Sequence, residues 1–360
     1  MGGLLAQIIM KDYRVKYVII LFLIIVSGYT AIHVNKVGKK KIDIVQVPNQ
    51  IKKNKSESTV PHVTSVKKAT AHVKRLKVSL LWNFSTIEPV SDIDIGNDIV
   101  ALASLDNNFY ILNIDGKVLH RFKTSGNAEA VALLQKKNLL LGSSFVYPTT
   151  TLYLYSLGEN PKLIWKKNIN SEVMALAFQG DNIIIGEVSG KVIALSLSGK
   201  KLWEFNISES AWGVADIEAG SKAIAVAGDD SNLYLLSDKG KLLWKRFQGR
   251  KGYLYGCALE ENLSMVGAAS QNSMATIYSE DGKFLWRFKT NFSNSDIAIS
   301  KDGLVGVASW DGHVYILSRK GKLLLTIPVK EPTAVDFNGN YLGITSRNGN
   351  AYLYLIKSSE

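Results

Sequence analysis

One short phrase occurs seven times along the chain and constrains its fold more than any other feature. In its fullest form the phrase is a run of β-forming residues, then Gly-Lys, then an apolar pair and a Trp, as in residues 240–244. The final residues of the seven copies are Trp82, His120, Trp165, Trp203, Trp244, Trp286 and Leu325. Successive copies are 38, 45, 38, 41, 42 and 39 residues apart. A repeat of about 40 residues that is made of short strands is typical of a β-propeller.

Residues 295–329 show the four predicted strands of one blade. The predicted strands are 297–299, 304–309, 314–317 and 323–327, and each of the turns between them contains a Gly. Glycine is favoured there because tight turns need a positive φ. The same pattern fits residues 91–126, 128–170, 171–208, 212–249 and 254–291, with an insertion around 145–151 in the second of these.

The two ends of the repeat region complement each other. Residues 333–356 contain three predicted strands, whereas residues 76–85 carry the Leu-Trp phrase with no strand before it. We therefore predict an all-β, seven-bladed β-propeller over residues 76–360, in which the N-terminal strand closes the last blade. This closure leaves no exposed sheet edge at the junction. A domain of this size needs no disulfide, and the single Cys257 is predicted to be buried.

An apolar segment precedes the repeats. After a short N-terminal flank, residues 1–16, the chain has 18 uncharged and mostly apolar residues at 17–34. This length is just enough for a helix to cross a bilayer. A cleaved signal peptide is the alternative, but the run is longer than a typical signal core and no small-x-small cleavage site follows it. We predict one uncleaved transmembrane helix that acts as a signal-anchor.

Residues 35–75 form a predicted flexible tether that carries most of the chain's excess charge. Residues 1–75 contain 14 Lys or Arg and 3 Asp or Glu, whereas residues 76–360 contain 29 and 28. The near-neutral repeat region has no surplus of positive charge for phosphates, so we predict no nucleic-acid partner. The basic tether instead predicts an interaction with anionic lipid headgroups.

Three stretches, residues 192–203, 233–244 and 276–286, resemble the quinoprotein-type (pyrroloquinoline-quinone-like) propeller repeat. The resemblance covers nearly all of residues 76–360. In that family the Trp of a Gly-Lys-x-x-Trp tail docks between neighbouring blades. The resemblance gives this role to Trp82, Trp165, Trp203, Trp244 and Trp286. His120 and Leu325 depart from the pattern, so two junctions are expected to dock differently.

The resembling family includes quinone-dependent dehydrogenases and non-enzymatic scaffolds, such as the propeller subunit of the bacterial outer-membrane assembly machinery. Most members work outside the cytoplasm, which favours an extracytoplasmic propeller on a single-pass anchor. The positive flanks of the apolar segment weakly favour the opposite orientation.

The residues indicate no catalytic, metal or cofactor site. Asp106, Asp229, Asp230, Asp281 and Asp311 all lie in predicted turns, where Asp is a structural choice. The five His show no metal-ligand spacing. We predict that the chain is not an enzyme. The alternative is a quinone- or sugar-dependent enzyme with a site in the central funnel. Convergent carboxylates with an adjacent Asn would favour that alternative, and an apolar, Ser- and Thr-filled funnel would favour a scaffold.

The loops of one face are rich in aromatic residues. The fourth-to-first and second-to-third connections of a propeller share a face, and they carry Phe145, Tyr147, Trp212, Arg250, Tyr253, Tyr255, Phe292 and Trp310. Aromatic residues and Arg are typical of protein interfaces, although such residues also pack against neighbouring loops. We predict a membrane-anchored scaffold or ligand-sensing module that binds a protein or small ligand through this face, within a membrane-associated complex.

The opposite face is predicted to be rich in lysine. Its third-to-fourth turns carry Lys117, Lys200, Lys201, Lys239, Lys241, Lys283, Lys320 and Lys322. The tether joins the propeller at the start of a fourth strand and so on this same face. The lysines either point into water or form a ring that supplements the tether against anionic lipid.

Overall fold

The computed structural model describes residues 76–207 and 213–358, in which 28 β-strands form seven four-stranded antiparallel sheets. The predicted flank, anchor and tether (residues 1–75) and the candidate Trp212 lie outside the described residues. Within the described ranges no helix is long and apolar enough to span a bilayer.

The first strand in the chain, β1 (Leu76–Ser85), belongs to the last sheet. Blade 1 is β2 (Val90–Ile95), β3 (Ile99–Ser104), β4 (Asn108–Asn113) and β5 (Val118–Lys123). Blade 2 is β6 (Asn127–Leu134), β7 (Leu139–Val146), β8 (Thr149–Ser156) and β9 (Lys162–Ile169), with a single 3₁₀ turn at Gln135–Lys137. Blade 3 is β10 (Val173–Gln179), β11 (Asn182–Glu187), β12 (Lys191–Ser196) and β13 (Lys201–Asn206).

The remaining blades follow the same plan. Blade 4 is β14 (Val214–Ala219), β15 (Ala223–Gly228), β16 (Asn232–Ser237) and β17 (Leu242–Phe247). Blade 5 is β18 (Leu254–Leu259), β19 (Val266–Ser270), β20 (Met274–Tyr278) and β21 (Phe284–Lys289). Blade 6 is β22 (Asn294–Ile299), β23 (Val305–Ser309), β24 (His313–Leu317) and β25 (Leu323–Pro328). Blade 7 is β26 (Pro332–Asn338), β27 (Tyr341–Ser346) and β28 (Asn350–Ser358), completed by β1.

This arrangement confirms the predicted seven-bladed propeller and its closure. Strand β1 pairs antiparallel with β28, from Leu76 opposite Ser358 to Ser85 opposite Asn350. The first strand of each blade contacts the first strand of the next, and β26 contacts β2, so the ring is closed. The central strands are almost wholly apolar because both of their faces are buried against other blades; all six residues of β15 are buried.

The antiparallel order gives the propeller two distinct ends. Every first strand begins, and every second strand ends, at the end that we call the mouth face. The third-to-fourth turns lie at the opposite end, the turn face. In five blades this turn has a Gly followed by Lys, and we call these the lysine turns: Gly116-Lys117, Gly199-Lys200, Gly240-Lys241, Gly282-Lys283 and Gly321-Lys322.

Each fourth strand has a β-bulge just after the third-to-fourth turn. In blade 4, Leu236 pairs with Leu242 and Leu235 pairs with Trp244, so Leu243 is the extra residue. We call the seven equivalent extra residues the outer bulges: Leu81, Leu119, Ile164, Leu202, Leu243, Leu285 and Leu324. Six of them are exposed. In a regular strand neighbouring side chains point to opposite faces, so without the bulge the residue next to the exposed Leu242 would point to the other face. The bulges also interrupt the edge strands and so disfavour edge-to-edge pairing.

The five repeat tryptophans contact the lysine turn of the following blade. A Cβ added at Gly240 would lie 2.5 Å from the Trp203 ring, and one at Gly116 would lie 2.6 Å from the Trp82 ring. The indole N–H also donates to a turn carbonyl: Trp82 to Ile114 (3.0 Å), Trp165 to Leu197 (2.7 Å), Trp244 to Glu280 (2.8 Å) and Trp286 to Arg319 (2.8 Å). The Trp rings are half-buried, whereas docking between blades predicts fuller burial. They stay partly exposed because each ring covers a turn that is itself exposed.

Two of the seven repeats have another residue, His120 or Leu325, where the rest have Trp, and both exceptions have the same cause. His120 of blade 1 precedes blade 2, whose third-to-fourth connection, residues 157–161, contains no Gly-Lys turn. Leu325 of blade 6 precedes blade 7, where β28 and β1 are paired but no turn joins them. A Trp is therefore found only where the next blade offers a turn glycine on which it can rest.

Removal of residues 76–85 should leave blade 7 with three strands and expose the edge of β28. We expect the shortened chain to aggregate, or to melt well below the parent, because the ring contacts and the edge protection are both lost. Size-exclusion chromatography and thermal denaturation measure this. Deleting ten tether residues, 50–59, is the matched control and should change neither result. A monomeric 76–85 deletion with the parent's melting temperature would contradict the closure.

Gly240→Ala should destabilise the propeller more than Gly180→Ala. Both glycines have positive φ, +72° and +58°, so both substitutions carry a backbone cost of about 1–2 kcal/mol. Only at Gly240 does the new methyl group also meet a Trp ring; nothing lies within 4 Å of a Cβ at Gly180. We expect about 1–3 kcal/mol more at Gly240, measured by urea denaturation. Equal losses would show that Trp203 does not depend on this glycine.

Candidate functional site

The seven first strands surround an open central channel. A cavity of about 420 Å³ runs along it and is lined by residues of β2, β6, β10, β14, β18, β22 and β26. Small residues such as Ala132, Ala175 and Ala334 line the cavity at positions where larger side chains would occupy it. The channel can therefore hold water or an inserted side chain.

Carboxylates line the channel in two layers. Asp92, Asp216 and Asp296 occupy equivalent positions in β2, β14 and β22. Asp94, Glu218 and Asp336 occupy the position two residues deeper in β2, β14 and β26. No Lys or Arg lies among the residues of the central cavity. The walls of this cavity therefore carry acidic and no basic side chains.

The aspartates also join neighbouring blades. Asp92 accepts hydrogen bonds from the backbone N–H of Ile93 (2.8 Å) and, across the junction, from that of Val131 in blade 2 (2.9 Å). Equivalent bridges of 2.7–2.8 Å run from Asp94 to Leu133, Asp216 to Cys257, Asp296 to Val335 and Asp336 to Ile95. Each bridge satisfies a first-strand N–H that faces the channel and has no strand partner there.

Burial and mutual repulsion shift the acid–base behaviour of these groups. Burial raises the pKa of Asp92 to about 7, against the opposing effect of its two N–H donors. Burial, reinforced by the neighbouring carboxylates, holds the pKa values of Asp94, Glu218 and Asp296 well above the usual range. Glu218 lies deep within the ring but its side chain is open to the channel water. At neutral pH the layers therefore retain protons that free carboxylates would lose.

These carboxylates are not among the predicted site residues, because the acidic residues singled out from the sequence all lie in turns. A signal was present: Asp precedes Ile at the same place in the first strands of three blades, at 92–93, 216–217 and 296–297. A charged residue repeated within otherwise apolar strands indicates a common polar surface. Of the two arrangements that would separate an enzyme from a scaffold, the channel therefore shows convergent carboxylates and not a filling of apolar, Ser and Thr side chains.

Convergent carboxylates with an adjacent Asn are the arrangement that would favour the enzyme alternative, and the channel contains both. Asn338 lies beside Asp336 at the turn-face end of the channel, where its amide donates to the carbonyl of Ile95 (2.7 Å). However, five of the six carboxylates already accept N–H groups of the next blade. Within the described residues, no group of three or more His, Cys, Asp or Glu is placed to hold a metal ion.

An aromatic cluster lies beside the channel at the mouth face. The rings of Tyr255 in β18 and Trp310 after β23 are 5.3 Å apart. The Arg347 guanidinium lies over Trp310, 4.7 Å from the ring centre. The indole N–H of Trp310 is buried and has no acceptor among the described residues. We call Tyr255, Trp310 and Arg347 the mouth cluster.

The other predicted contact residues are distributed around the same face. Phe145 and Tyr147 form a separate pair in blade 2, with ring centres 6.5 Å apart and Tyr147 strongly exposed. Arg250 and Tyr253 lie in the connection before blade 5, and an exposed Phe292 lies in the connection after it.

Arg347 was not among the predicted residues, although its position in the repeat identifies it. Residues 309–312 and 346–349 are equivalent turns between second and third strands, so Arg347 in blade 7 corresponds to Trp310 in blade 6. Their backbone N–H groups bond to Glu331 and Ser293, the equivalent preceding connections. Adjacent blades therefore place the cation directly over the ring.

Acidic side chains lie around the channel entrance at the mouth face, beside the mouth cluster. Burial, with the nearby Glu172 carboxylate, raises the pKa of Glu129 to about 8. Burial beside Asp230 raises the pKa of Asp229 to about 6, and Asp229 also interacts with the Tyr255 hydroxyl. The mouth thus combines one aromatic and cationic side with an acidic channel entrance.

Comparison with protein families identifies one match. The model described as outer membrane protein assembly factor BamB, built on pyrroloquinoline-quinone-like repeats, matches residues 150–270 and 189–340. Together these overlapping matches cover more than half of the chain. No curated protein matches the chain.

Glu218→Gln should stabilise the propeller in a pH-dependent way. A raised carboxyl pKa means that folding becomes less favourable as pH rises from the ordinary carboxyl range towards the folded-state pKa. Removing the charge should therefore matter little near pH 4.5 and most near pH 8. With allowance for screening by channel water, roughly 1 kcal/mol, or about 2–4 °C in melting temperature, is expected at pH 8.

The control for this prediction is Glu159→Gln, an exposed glutamate between the third and fourth strands of blade 2. Thermal melts of both variants and the parent from pH 4.5 to 8 provide the comparison. A Glu218→Gln gain that is constant with pH, or that grows towards acid pH, would show that the channel carboxylates do not repel one another.

Proposed function

The chain belongs to the propeller family described as outer membrane protein assembly factor BamB, and from this premise we propose that it is a membrane-anchored, non-enzymatic scaffold that binds a protein partner at its mouth face. The family description names an assembly factor, which supports a role in a membrane-associated protein complex. The propeller supplies a rigid platform, and the site on it must supply the function.

The observation that carries the proposal is the mouth cluster. Tyr, Trp and Arg are the residue types that most often dominate binding energy at protein interfaces. In the mouth cluster the three are in contact, although they come from three consecutive blades. The buried Trp310 N–H has no acceptor among the described residues, and such a donor is costly unless a partner satisfies it. Because this N–H is buried, a backbone carbonyl of a bound segment would reach it once the ring or a covering side chain moves on binding.

The acidic channel supports a partner with basic side chains. Glu129 and Glu172 stand at the entrance, and the two carboxylate layers lie below them. A Lys or Arg placed over the entrance would favour the ionised form of these carboxylates and would then be attracted to them, and complementary charge steers association as well as selecting partners. We propose that the partner presents a segment with an acceptor for Trp310 and a cation for the channel entrance.

The anchor and tether place this platform at a membrane. The 18-residue apolar run at 17–34 supports a single-pass anchor, and residues 35–75 support a basic tether near anionic headgroups. We place the propeller on the extracytoplasmic side, because the family description refers to the outer membrane.

Site-directed photocrosslinking in native membranes tests the proposal. A photoreactive residue at Phe292, which is 57% exposed on the mouth face, should capture one discrete protein. The matched position is Phe284, which is 51% exposed in the same blade but at the start of β21, near the turn face. We expect that Trp310→Ala or Arg347→Ala reduces the Phe292 product at least about tenfold, since anchor residues are worth about 2 kcal/mol or more.

Phe247→Ala, which removes an exposed ring at the end of β17, should leave the crosslink unchanged. Phe247→Ala and Arg347→Ala remove exposed side chains and should keep the parent's melting temperature, so Arg347→Ala separates loss of binding from loss of stability. Equal products from Phe284 and Phe292, or a product that survives both substitutions, would contradict binding at the mouth cluster. Quinone- or sugar-dependent turnover by the purified chain would favour the enzyme alternative.

A further inference from the structure

An amphipathic rim surrounds the turn-face end of the propeller. In blade 4 the sequence Lys241-Leu242-Leu243 puts an exposed lysine directly before two exposed leucines, 45% and 53% exposed. In blade 5, Lys283 is followed by Phe284 and Leu285, 51% and 44% exposed. The lysine turns and the outer bulges repeat this arrangement around the propeller, so basic and apolar groups alternate along one circular rim.

Folding alone does not require this exposed apolar surface. Single exposed apolar residues are ordinary, but a set that recurs at equivalent positions in consecutive blades indicates an interaction. The bulges protect the edge strands from pairing and at the same time turn the extra apolar residue outwards. The rim therefore disfavours a partner that adds a β-strand and favours one that accepts apolar side chains without backbone pairing.

The charge of the lysine turns and the point at which the tether joins the propeller both indicate what the rim binds. The four residues that end at the Lys of each lysine turn contain eight Lys or Arg and four Asp or Glu in total, a positive excess on a propeller that is otherwise nearly neutral. The described propeller begins at Leu76, in the strand that contains the outer bulge Leu81. The basic tether and the apolar run at 17–34 thus join the propeller at the rim.

We propose that the rim docks on the surface of an anionic lipid bilayer, with the lysine turns at the phosphate groups and the outer bulges at the boundary with the acyl chains. Lys and Leu or Phe in this arrangement are typical of surfaces that bind in the membrane interface. The inference rests on the membrane anchor of the proposed function. It orients the molecule, because a docked turn face directs the mouth cluster away from the lipid.

Lipid quenching of a fluorophore on the full chain tests this orientation. The only native thiol, Cys257, is 3% exposed and burial raises its pKa, so a single introduced cysteine can be labelled selectively. The label is placed at Leu243→Cys on the rim, at Phe284→Cys in the next blade, or at Ile87→Cys, which is 87% exposed in the connection at the mouth face. The chain is reconstituted into vesicles that contain a nitroxide lipid, with or without about 30% phosphatidylglycerol.

We expect quenching of the labels at 243 and 284 to exceed that at 87 by at least about threefold, and only in the anionic vesicles. Combined Lys241→Gln, Lys283→Gln and Lys322→Gln should remove this difference. Lys123→Gln, Lys251→Gln and Lys289→Gln, which remove equal charge near the mouth face, should preserve it.

Two failures can be told apart. If the full chain does not float with vesicles, the anchor is wrong and both proposals lose their basis. If it floats but the labels at 243 and 284 are quenched no more than the label at 87, or equally in neutral vesicles, docking of the rim is overturned while the anchored scaffold stands.

Discussion

The pairing of β1 with β28 is the contact on which the rest of the structure depends. It joins residues separated by more than 260 positions and converts seven sheets into a closed ring. Once the ring is closed, every blade has two neighbours, and every apolar sheet face is covered by another. An open ring would expose both a sheet edge and the facing surfaces of two blades. The channel, the mouth cluster and the rim all require the closed geometry.

Two sets of polar contacts hold adjacent blades in register within this ring. At the outside, a Trp rests on the next blade's turn glycine and donates to a carbonyl of that turn. At the centre, channel aspartates accept backbone N–H groups of the next first strand. The inner contacts have an electrostatic cost, because they bring carboxylates together in a confined channel. Burial makes ionisation of these carboxylates costly, and their mutual repulsion adds to that cost; protonation removes both, which explains the direction of the pKa shifts.

The two ends of the propeller differ in chemistry because they are formed by different connections. The mouth face receives the variable connections between blades and between second and third strands, which supply the Tyr255, Trp310 and Arg347 cluster and an acidic entrance. The turn face receives the most regular part of the repeat, the Gly-Lys turns and the bulges after them. This division is the one that the proposed scaffold requires, with the turn face on lipid and the mouth face for a protein partner.

The repeat spacing by itself determined the fold. Short strands, turn glycines and a period near 40 residues define a blade locally, and the incomplete ends predict the closure, so blade number and strand order followed from the chain. The site was only partly predictable. Tyr255 and Trp310 were among the predicted contact residues, but their contact and the Arg347 above them depend on the angle between successive blades. Asp92, Asp216 and Asp296 looked like isolated polar residues in apolar strands. Only the closed ring made them a channel, because residues 80 to 204 positions apart converge when seven first strands share one axis.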